Sequence, residues 1–267
     1  STGSRDGRYN APIYDSNNLG FYFYNGSEWI YPNYFKQNPD RFSFNVLDAV
    51  MHPSNGTEIF IANYGGWNQT NNGFLKLSFD KTTNVIEFEK FYPSFDKSRA
   101  VGLVYDDQNN LFASSSFDNS TERTIYYTFN KSSDEFVGKI VTGAAAQKPI
   151  FNEGLLYIPT PRANEFVSID LNNTSQNLND DVINIYRTAN GLPANGKGTL
   201  SAVIDKSNDL WIGSDSGLRV LRNASQAIKE GNVRLEPIII EQNGIGEELF
   251  RDSAVLQIEA DSGNQKW

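Results

Sequence analysis

The side chains that could carry out acid–base or nucleophilic chemistry are few in this chain. Its 267 residues include one histidine, His52, and no cysteine. A Ser-His-Asp triad or a histidine metal site would have to include His52, which lies in a His-Pro-Ser-Asn-Gly sequence typical of a turn between strands. We expect a solvent-exposed turn histidine at this position. Without cysteine, the chain cannot form disulfides, thiolate metal sites or cysteine nucleophiles.

Paired carboxylates could hydrolyse glycosidic bonds without a histidine. Four acidic residues lie close together in the sequence, namely Glu241, Glu247, Glu248 and Asp252. They flank Phe250 and Arg251 in a segment that we expect to be a loop-like insert. Solvation, or pairing with Arg251, explains these acidic residues without catalysis. The residue inventory therefore predicts no catalytic residue and a protein that is not an enzyme.

A calcium loop is the one metal site that the sequence suggests. Asp205, Ser207 and Asp209 alternate like the start of such a loop, but Leu210 stands where the loop needs glycine, and the closing glutamate is absent. We expect the carboxylate of Asp205 to accept hydrogen bonds from nearby backbone amides of a hairpin. The sequence predicts no metal and no cofactor.

A polar loop contains the best candidates for ligand contact. Residues 63–69 read Asn-Tyr-Gly-Gly-Trp-Asn-Gln and follow an apolar strand-like segment. An exposed aromatic ring can stack on the apolar side of a pyranose while amides bond to its hydroxyls, although loop rings also fold back on their own domain. We predict ligand contacts at Tyr64, Trp67 and Asn68.

The elements that must position these residues follow a repeat. An aromatic residue returns about every fifty residues, a period typical of propellers and solenoids. Turn-forming residues precede it each time, as in Asn55-Gly56 and Asn208-Asp209. We expect these rings to pack between adjacent blades and to fix their spacing. The structural repeat residues are Tyr9, Phe60, Phe112, Tyr157, Trp211 and Trp267.

Each repeat has room for four strands. Short apolar segments precede the turns, at 46–50, 101–105, 149–151, 200–204 and 255–258. Alternating segments follow the aromatic strand, at 19–24, 74–79, 125–129, 166–171 and 218–221. A closing strand is predicted at 85–91, 136–141, 182–186 and 237–241, and residues 223–231 could form a short helix. Four antiparallel strands in about fifty residues make one propeller blade.

The predicted fold is therefore all-β, a β-propeller of four-stranded antiparallel blades with about five blade equivalents. Residues 1–267 would form a single propeller domain or a propeller fragment. Two arrangements remain open. Either residues 255–267 pair beside residues 19–31 and close a five-bladed ring, which removes exposed strand edges, or the chain is a fragment of a larger ring.

Charge and hydropathy narrow the possible partners. The formal net charge is −9 and the pI is about 4.7. Binding to phosphate backbones needs clustered Lys and Arg, so we expect no nucleic-acid partner. No apolar run approaches the roughly twenty residues of a membrane helix, and no signal peptide opens the sequence. These features fit a mature or excised fragment without a transmembrane segment.

One repeat is regular enough to support a family resemblance. Residues 188–221 contain Gly191-Leu192-Pro193, then Asp205, then Leu-Trp-Ile-Gly at 210–213 and Gly217-Leu218. This segment resembles the two-component regulator propeller repeat. The copies around Phe60, Phe112 and Tyr157 lack the Gly-Leu pair. The resemblance implies only the propeller fold.

Two further segments narrow the resemblance. Residues 19–29 and 238–267 are similar to PorZ-like surface propeller proteins of the Bacteroidetes type IX secretion system. That resemblance implies an exported, non-catalytic protein at the outer-membrane surface. It would contact a sortase-containing attachment complex and anionic lipopolysaccharide. The alternative is the periplasmic glycan-sensing propeller of a hybrid two-component regulator, which a downstream transmembrane helix would favour.

Overall fold

The computed structural model describes residues 23–30, 46–64, 72–118 and 121–267. The chain divides into two compact units, residues 1–140 and residues 141–267. In both units the described residues are organised mainly as four-stranded antiparallel sheets whose strand order follows the chain. This arrangement confirms the predicted all-β class and the four-stranded blade. The single domain over residues 1–267 stays a prediction.

The first unit begins with a hairpin of β1 (Phe23–Tyr24) and β2 (Trp29–Ile30). Blade 1 then runs through β3 (Val46–Met51), β4 (Glu58–Asn63), β5 (Gly73–Asp80) and β6 (Val85–Pro93). A 3₁₀ turn at Phe95–Lys97 leads into blade 2, which consists of β7 (Arg99–Tyr105), β8 (Leu111–Asp118), β9 (Thr121–Asn130) and β10 (Glu135–Thr142). The boundary between the two units falls within β10.

The second unit contains two more blades. Blade 3 consists of β11 (Ile150–Asn152), β12 (Leu155–Pro159), β13 (Phe166–Asp170) and β14 (Val182–Tyr186). A 3₁₀ turn at Thr188–Asn190 precedes blade 4, which consists of β15 (Thr199–Ile204), β16 (Leu210–Ser214), β17 (Gly217–Leu221) and β18 (Glu236–Pro237). The predicted short helix is α1 (Ala224–Lys229), between β17 and β18.

The last part of the second unit differs from the prediction. The fourth strand of blade 4 is only Glu236–Pro237, because the chain then enters a separate hairpin of β19 (Ile239–Gln242) and β20 (Ile245–Glu248). Residues 255–258, predicted as a strand, are not in one. A short hairpin follows in which Ala260 bridges Lys266. It supplies the turn and aromatic expected at the start of a further blade.

Successive side chains of β4 pack into apolar clusters on opposite faces of blade 1. Phe60 and Ala62 point into a cluster shared with blade 2, whereas Ile59 and Ile61 point into a second cluster within blade 1. Successive strand side chains face opposite sides of a sheet, so a strand buried on both faces is apolar throughout. The ring of Phe60 lies 5.1 Å from Phe129 and is fully buried.

The repeat aromatics occupy different environments. Phe112 on β8 and Tyr157 on β12 are fully buried, and Tyr157 belongs to a cluster that joins blades 3 and 4. Trp211 on β16 is half-buried. Trp267 is 74% exposed, and its backbone pairs with Glu259. Tyr9 and residues 19–22 lie outside the described residues.

Replacing Phe60 by alanine tests the packing between blades 1 and 2. We expect Phe60→Ala to lower the free energy of unfolding by about 3–5 kcal/mol, because it opens a cavity in a fully buried cluster. Urea denaturation followed by circular dichroism measures the loss. The matched control is Phe95→Ala, whose ring is 47% exposed and whose loss we expect to stay near 0.5 kcal/mol. A loss below about 1 kcal/mol for Phe60→Ala would contradict this packing.

Candidate functional site

The predicted ligand-binding residues follow β4. Trp67 and Asn68 lie outside the described residues. Tyr64 is described, and it is half-buried immediately after the last residue of the strand. The structure therefore places one of the three predicted residues, and the site must be built from its neighbours.

Arg99 is the first neighbour of Tyr64. Its Nη1 donates a hydrogen bond of 3.0 Å to the Tyr64 hydroxyl, and its guanidinium carbon lies 4.9 Å from the centre of the ring. This geometry combines a cation–π contact with a polar contact. Because Arg99 begins β7, the pair joins blade 1 to blade 2. It puts a cation beside an aromatic ring, a combination suited to a negatively charged or hydroxyl-rich ligand.

Polar side chains continue this site at the same end of blade 1. Asn72 donates through Nδ2 to the carbonyl of Lys97 at 2.6 Å, and the carbonyl of Asn72 accepts from Ser94 Oγ at 3.1 Å. Asn72 is buried, yet within the described part of the chain its Oδ1 has no hydrogen-bond partner. Such a buried acceptor calls for a donor from water, ligand or protein. We call Tyr64, Asn72, Ser94 and Arg99 the Tyr64 cluster.

A strained turn borders the Tyr64 cluster. Asp96 and Lys97 both adopt left-handed backbone, with φ of 49° and 57°. Left-handed residues other than glycine cost free energy and gather at functional sites. The hydrogen bond from Asn72 to the Lys97 carbonyl helps to hold this conformation.

Hydroxyl groups at the start of blade 2 form a closed network. The hydroxyls of Ser98, Ser115 and Tyr127 lie 2.6–2.8 Å from one another, and all three residues are buried. Burial raises the pKa of Tyr127, although hydrogen bonds from the serines oppose this effect. Each hydroxyl is hydrogen-bonded to the other two. The network therefore stabilises blade 2 and offers no activated nucleophile.

The structure confirms the predicted role of Asp205, whose carboxylate accepts hydrogen bonds from backbone amides of its hairpin. Its Oδ1 accepts hydrogen bonds from the backbone amides of Ser207 at 2.8 Å and Asp209 at 3.1 Å. Its Oδ2 accepts from Trp211 Nε1 at 2.9 Å and lies 2.7 Å from Lys266 Nζ. Burial disfavours the charged form, but the Lys266 ion pair and these hydrogen bonds outweigh it and lower the pKa of Asp205 to about 2.

The environment of Trp211 differs from the expected wedge between blades. Its indole nitrogen bonds to Asp205, Lys266 Nζ lies 5.0 Å from the ring centre, and the Arg222 guanidinium carbon lies 5.7 Å from it. An indole carries a polar N–H that needs a partner when it is buried. Trp211 is therefore held half-buried at a polar hairpin, between two cations.

His52 opens the turn between β3 and β4, as predicted, but it is half-buried rather than solvent-exposed, with its ring centre 5.3 Å from that of Tyr105. Its backbone amide donates to the Glu58 carbonyl at 2.8 Å, and its Nδ1 accepts from the Ser54 amide at 3.2 Å. The β3–β4 turn and the β4–β5 connection leave opposite ends of β4. His52 is therefore at the other end of blade 1 from Tyr64 and cannot serve as a base there.

The expected loop-like insert is found only in part: residues 249–252 are turn, whereas residues 239–248 form a hairpin. Asn243 and Gly244 both have positive φ, of 54° and 78°, and close a tight hairpin turn between β19 and β20. Glu247 and Glu248 are consecutive in β20, so they face opposite sides.

The expected pairing with Arg251 is confirmed for Asp252, whereas Glu248 pairs elsewhere. Glu248 forms an ion pair with Arg219 of blade 4, while Arg251 lies 3.7 Å from Asp252. The register pairs Glu241 with Gly246, so Glu241 and Glu248 lie on the same face of this hairpin, where Glu248 is engaged by Arg219. Within the described residues no group of three or more His, Cys, Asp or Glu side chains could hold a metal ion. None of the helices described there is long and apolar enough to cross a membrane.

Sequence reasoning missed Arg99 and Asn72, the polar partners at the Tyr64 cluster. Arg99 is separated from Tyr64 by much of blade 1, and no local pattern signals a contact over that distance. Asn72 lies just before β5, where a turn amide would be expected without a ligand role.

The fold resembles several propeller structures. PorZ, a surface component of the type IX secretion system of Porphyromonas gingivalis, matches with a TM-score of 0.69 at 15% identity, over 96% of this chain and 36% of PorZ. The extracellular domain of the hybrid two-component system protein BT4673 of B. thetaiotaomicron matches with a TM-score of 0.50 at 14% identity, over 79% of this chain and 24% of that one. The chain thus spans about a third or less of these two structures.

An enzyme is also among the similar structures. Virginiamycin B lyase of Staphylococcus aureus matches with a TM-score of 0.56 at 10% identity, over 84% of this chain and 62% of the lyase. No protein-family model matches the chain, and no curated protein sequence matches it. At these identities the likenesses establish the β-propeller fold alone, and they confirm the predicted fold class.

Substituting Asp205 tests the hairpin electrostatics through pH. The folded-state pKa of Asp205, about 2, lies below its ordinary value near 3.9, so its ionised form stabilises the fold above that ordinary value. The stabilisation is lost as the pH falls towards 2. We expect Asp205→Asn to lower the free energy of unfolding by about 2 kcal/mol at pH 6, with a difference that shrinks between pH 4 and pH 2.

Urea denaturation at several pH values measures this effect. Asp107→Asn, at an exposed position in the corresponding hairpin of blade 2, is the matched control and should lower the free energy of unfolding at pH 6 much less than Asp205→Asn does. A pH-independent difference for Asp205→Asn would contradict the assigned role.

Proposed function

We propose that this chain is a non-catalytic binding protein of the cell surface, exported and associated with the outer membrane. It acts in a type IX secretion attachment complex, where it contacts sortase-containing partners and anionic lipopolysaccharide. The observation that carries the proposal is the likeness to PorZ, which extends over 96% of this chain. The resemblance of residues 19–29 and 238–267 to PorZ-like proteins is consistent with the proposal.

The contacts of two buried acidic side chains support a binding role without catalysis. The carboxylate of Asp205 accepts hydrogen bonds from backbone amides of its hairpin and forms an ion pair with Lys266. Glu165, which is buried, accepts from Thr142 Oγ1 at 2.6 Å and pairs with Arg187 at 2.8 Å. Side chains engaged in this way hold blades together, and a general acid or base needs a proton that can reach the substrate.

The Tyr64 cluster supplies groups suited to an anionic glycan. The ring of Tyr64 offers an apolar face, and Arg99 puts a guanidinium 3.0 Å from the Tyr64 hydroxyl. Guanidinium groups bond well to carboxylates and phosphates. The predicted contacts at Trp67 and Asn68 would extend this surface.

A periplasmic glycan sensor of a hybrid two-component system is the second candidate. The match to the extracellular domain of BT4673 favours it, at a TM-score of 0.50. In this case the propeller would bind an oligosaccharide and signal to a kinase across the membrane. The two candidates differ in their partners, so a partner experiment separates them.

A pull-down tests the proposed function most directly. The full-length protein that contains this chain would be used as bait in a Bacteroidetes outer-membrane extract. We expect recovery of both sortase components and anionic lipopolysaccharide. Recovery of neither, with a kinase domain encoded downstream in the same gene, would contradict the attachment role and favour the sensor.

Trp67 provides a test at the level of one residue. We expect Trp67→Ala to weaken lipopolysaccharide binding about 2- to 10-fold, the effect of losing one aromatic stacking contact. Surface plasmon resonance on immobilised lipopolysaccharide measures it. Trp267→Ala, which removes a ring that is 74% exposed, is the control and should bind like the unmodified protein. Unchanged binding by Trp67→Ala would remove Trp67 from the site.

A further inference from the structure

The sequence contains six Asn-Gly pairs, and the structure describes all of them. In such a pair asparagine deamidates most readily, because glycine has no side chain to obstruct attack by its backbone nitrogen on the asparagine side chain. The fold decides which of the six can react. The pairs are Asn25-Gly26, Asn55-Gly56, Asn72-Gly73, Asn190-Gly191, Asn195-Gly196 and Asn243-Gly244.

Deamidation of an Asn-Gly pair proceeds in two steps. The backbone nitrogen of glycine attacks the side-chain carbonyl carbon of asparagine, loses its proton to water and forms a new C–N bond, while the C–NH₂ bond breaks and ammonia leaves. The resulting cyclic succinimide takes up one water molecule, which opens the ring to aspartate or isoaspartate. Ring closure therefore needs a carboxamide that can rotate and a glycine nitrogen that is not donating a hydrogen bond.

Two of the asparagine side chains are held by their own turns. Asn25 Oδ1 accepts from the backbone amides two and three residues later, both at 2.9 Å, and Asn55 Oδ1 accepts from the corresponding amides at 3.0 and 3.2 Å. The nitrogen of Gly56 also donates to the His52 carbonyl at 3.0 Å. These hydrogen bonds must break before either carboxamide can rotate into position for ring closure.

Two further pairs are held by contacts with other turns. Asn72 is buried and donates through Nδ2 to the Lys97 carbonyl at 2.6 Å. Asn190 Oδ1 accepts from the Arg187 amide at 3.1 Å, and the nitrogen of the following glycine donates to the Thr188 carbonyl at 2.9 Å. The fold therefore restrains the reacting groups of these pairs as well.

The fifth pair has an exposed asparagine but an engaged glycine. Asn195 is exposed. The nitrogen of Gly196 donates to the Pro193 carbonyl at 3.1 Å. This turn must open before that nitrogen can attack.

Asn243-Gly244 meets both conditions for ring closure. The pair forms the tip of the β19–β20 hairpin, where residues 243–247 are all exposed. Within the described part of the chain, neither the Asn243 side chain nor the Gly244 nitrogen makes a hydrogen bond. Among the described strands, β19 and β20 pair only with each other, and a two-stranded hairpin opens locally more readily than a larger sheet.

We propose that Asn243 is a site of spontaneous deamidation in the folded protein, with water as the only co-reactant. The product carries one more negative charge at the tip of the hairpin. Isoaspartate also adds a methylene group to the backbone of a two-residue turn, which disturbs the pairing of Gln242 with Ile245. The site includes no residue of the Tyr64 cluster and is independent of the proposed function.

Peptide mapping of the folded protein during incubation at mildly alkaline pH tests the site. Trypsin cuts after Arg234 and Arg251 and releases residues 235–251, a peptide that contains this pair alone. Mass spectrometry follows the gain of one mass unit, and an isoaspartyl methyltransferase assay identifies isoaspartate. We expect Asn243 to convert about fivefold faster or more than any other Asn-Gly pair, because one hydrogen bond that must break first slows a reaction by that factor.

Denaturation and two variants separate the effect of the fold from that of the sequence. In guanidinium chloride, where the turns are lost, the six pairs should convert at similar rates. Asn243→Gln should abolish conversion of the peptide 235–251, because the longer side chain of glutamine closes a ring far more slowly. Asn195→Gln, at the other exposed and unrestrained asparagine side chain, is the matched control and should leave that conversion unchanged.

Three results would overturn the proposal. The first is a peptide 235–251 that stays unmodified in the folded protein over the period in which the denatured protein converts. The second is conversion of Asn195, or of any other pair, as fast as that of Asn243. The third is the same order of rates in the folded and the denatured protein, which would assign the difference to the neighbouring sequence instead of the fold.

Discussion

Much of this structure depends on one type of hydrogen bond. In several hairpins, the carboxylate of the aspartate that begins the turn accepts hydrogen bonds from backbone amides of that turn. Asp106, Asp205 and Asp261 each accept hydrogen bonds from the backbone amides two and four residues later. The residue three positions after each aspartate is an asparagine in left-handed backbone, with φ of 62°, 61° and 64°. Asparagine tolerates this conformation better than most residues, so the pattern Asp-x-x-Asn predicts this turn from the sequence. In the second and third of these hairpins the same carboxylate also accepts from the indole of the repeat tryptophan.

These hairpins also contact one another within each unit. In the first unit, Asn109 Nδ2 donates to Ser54 Oγ at 2.8 Å, which joins the turns of blades 2 and 1. In the second unit, the Lys206 amide donates to Asn264 Oδ1 at 2.9 Å, and Lys266 pairs with Asp205. Polar side chains at these positions therefore stabilise turns and fix neighbouring hairpins. Tyr64 and Arg99, for which we propose a ligand contact, lie outside these hairpin turns.

Local patterns allowed most of the fold to be predicted, because period-two alternation and turn residues determine a strand without knowledge of its neighbours. The strands β4, β5 and β13 and the Asp205 hairpin were found in this way. The predictions failed where the decisive contact is distant or ambiguous. The Asn243-Gly244 turn was assigned to a loop-like insert, although an Asn-Gly pair that follows the strand-like residues 238–240 favours a hairpin. Contacts of the Tyr64 cluster cross from one blade to the next, so the sequence alone could indicate Tyr64 but not Arg99.

The central claim is that hydrogen bonds and the Lys266 ion pair within its hairpin lower the pKa of the Asp205 carboxylate, so that the fold holds it ionised. The most direct measurement is a carbon-13 NMR titration of the aspartate carboxyl groups in the folded protein, with Asp205 assigned by comparison with Asp205→Asn. The account predicts that Asp205 stays ionised down to a pH of about 2. A carboxyl signal for Asp205 that titrates at or above the ordinary value near 3.9 would contradict it.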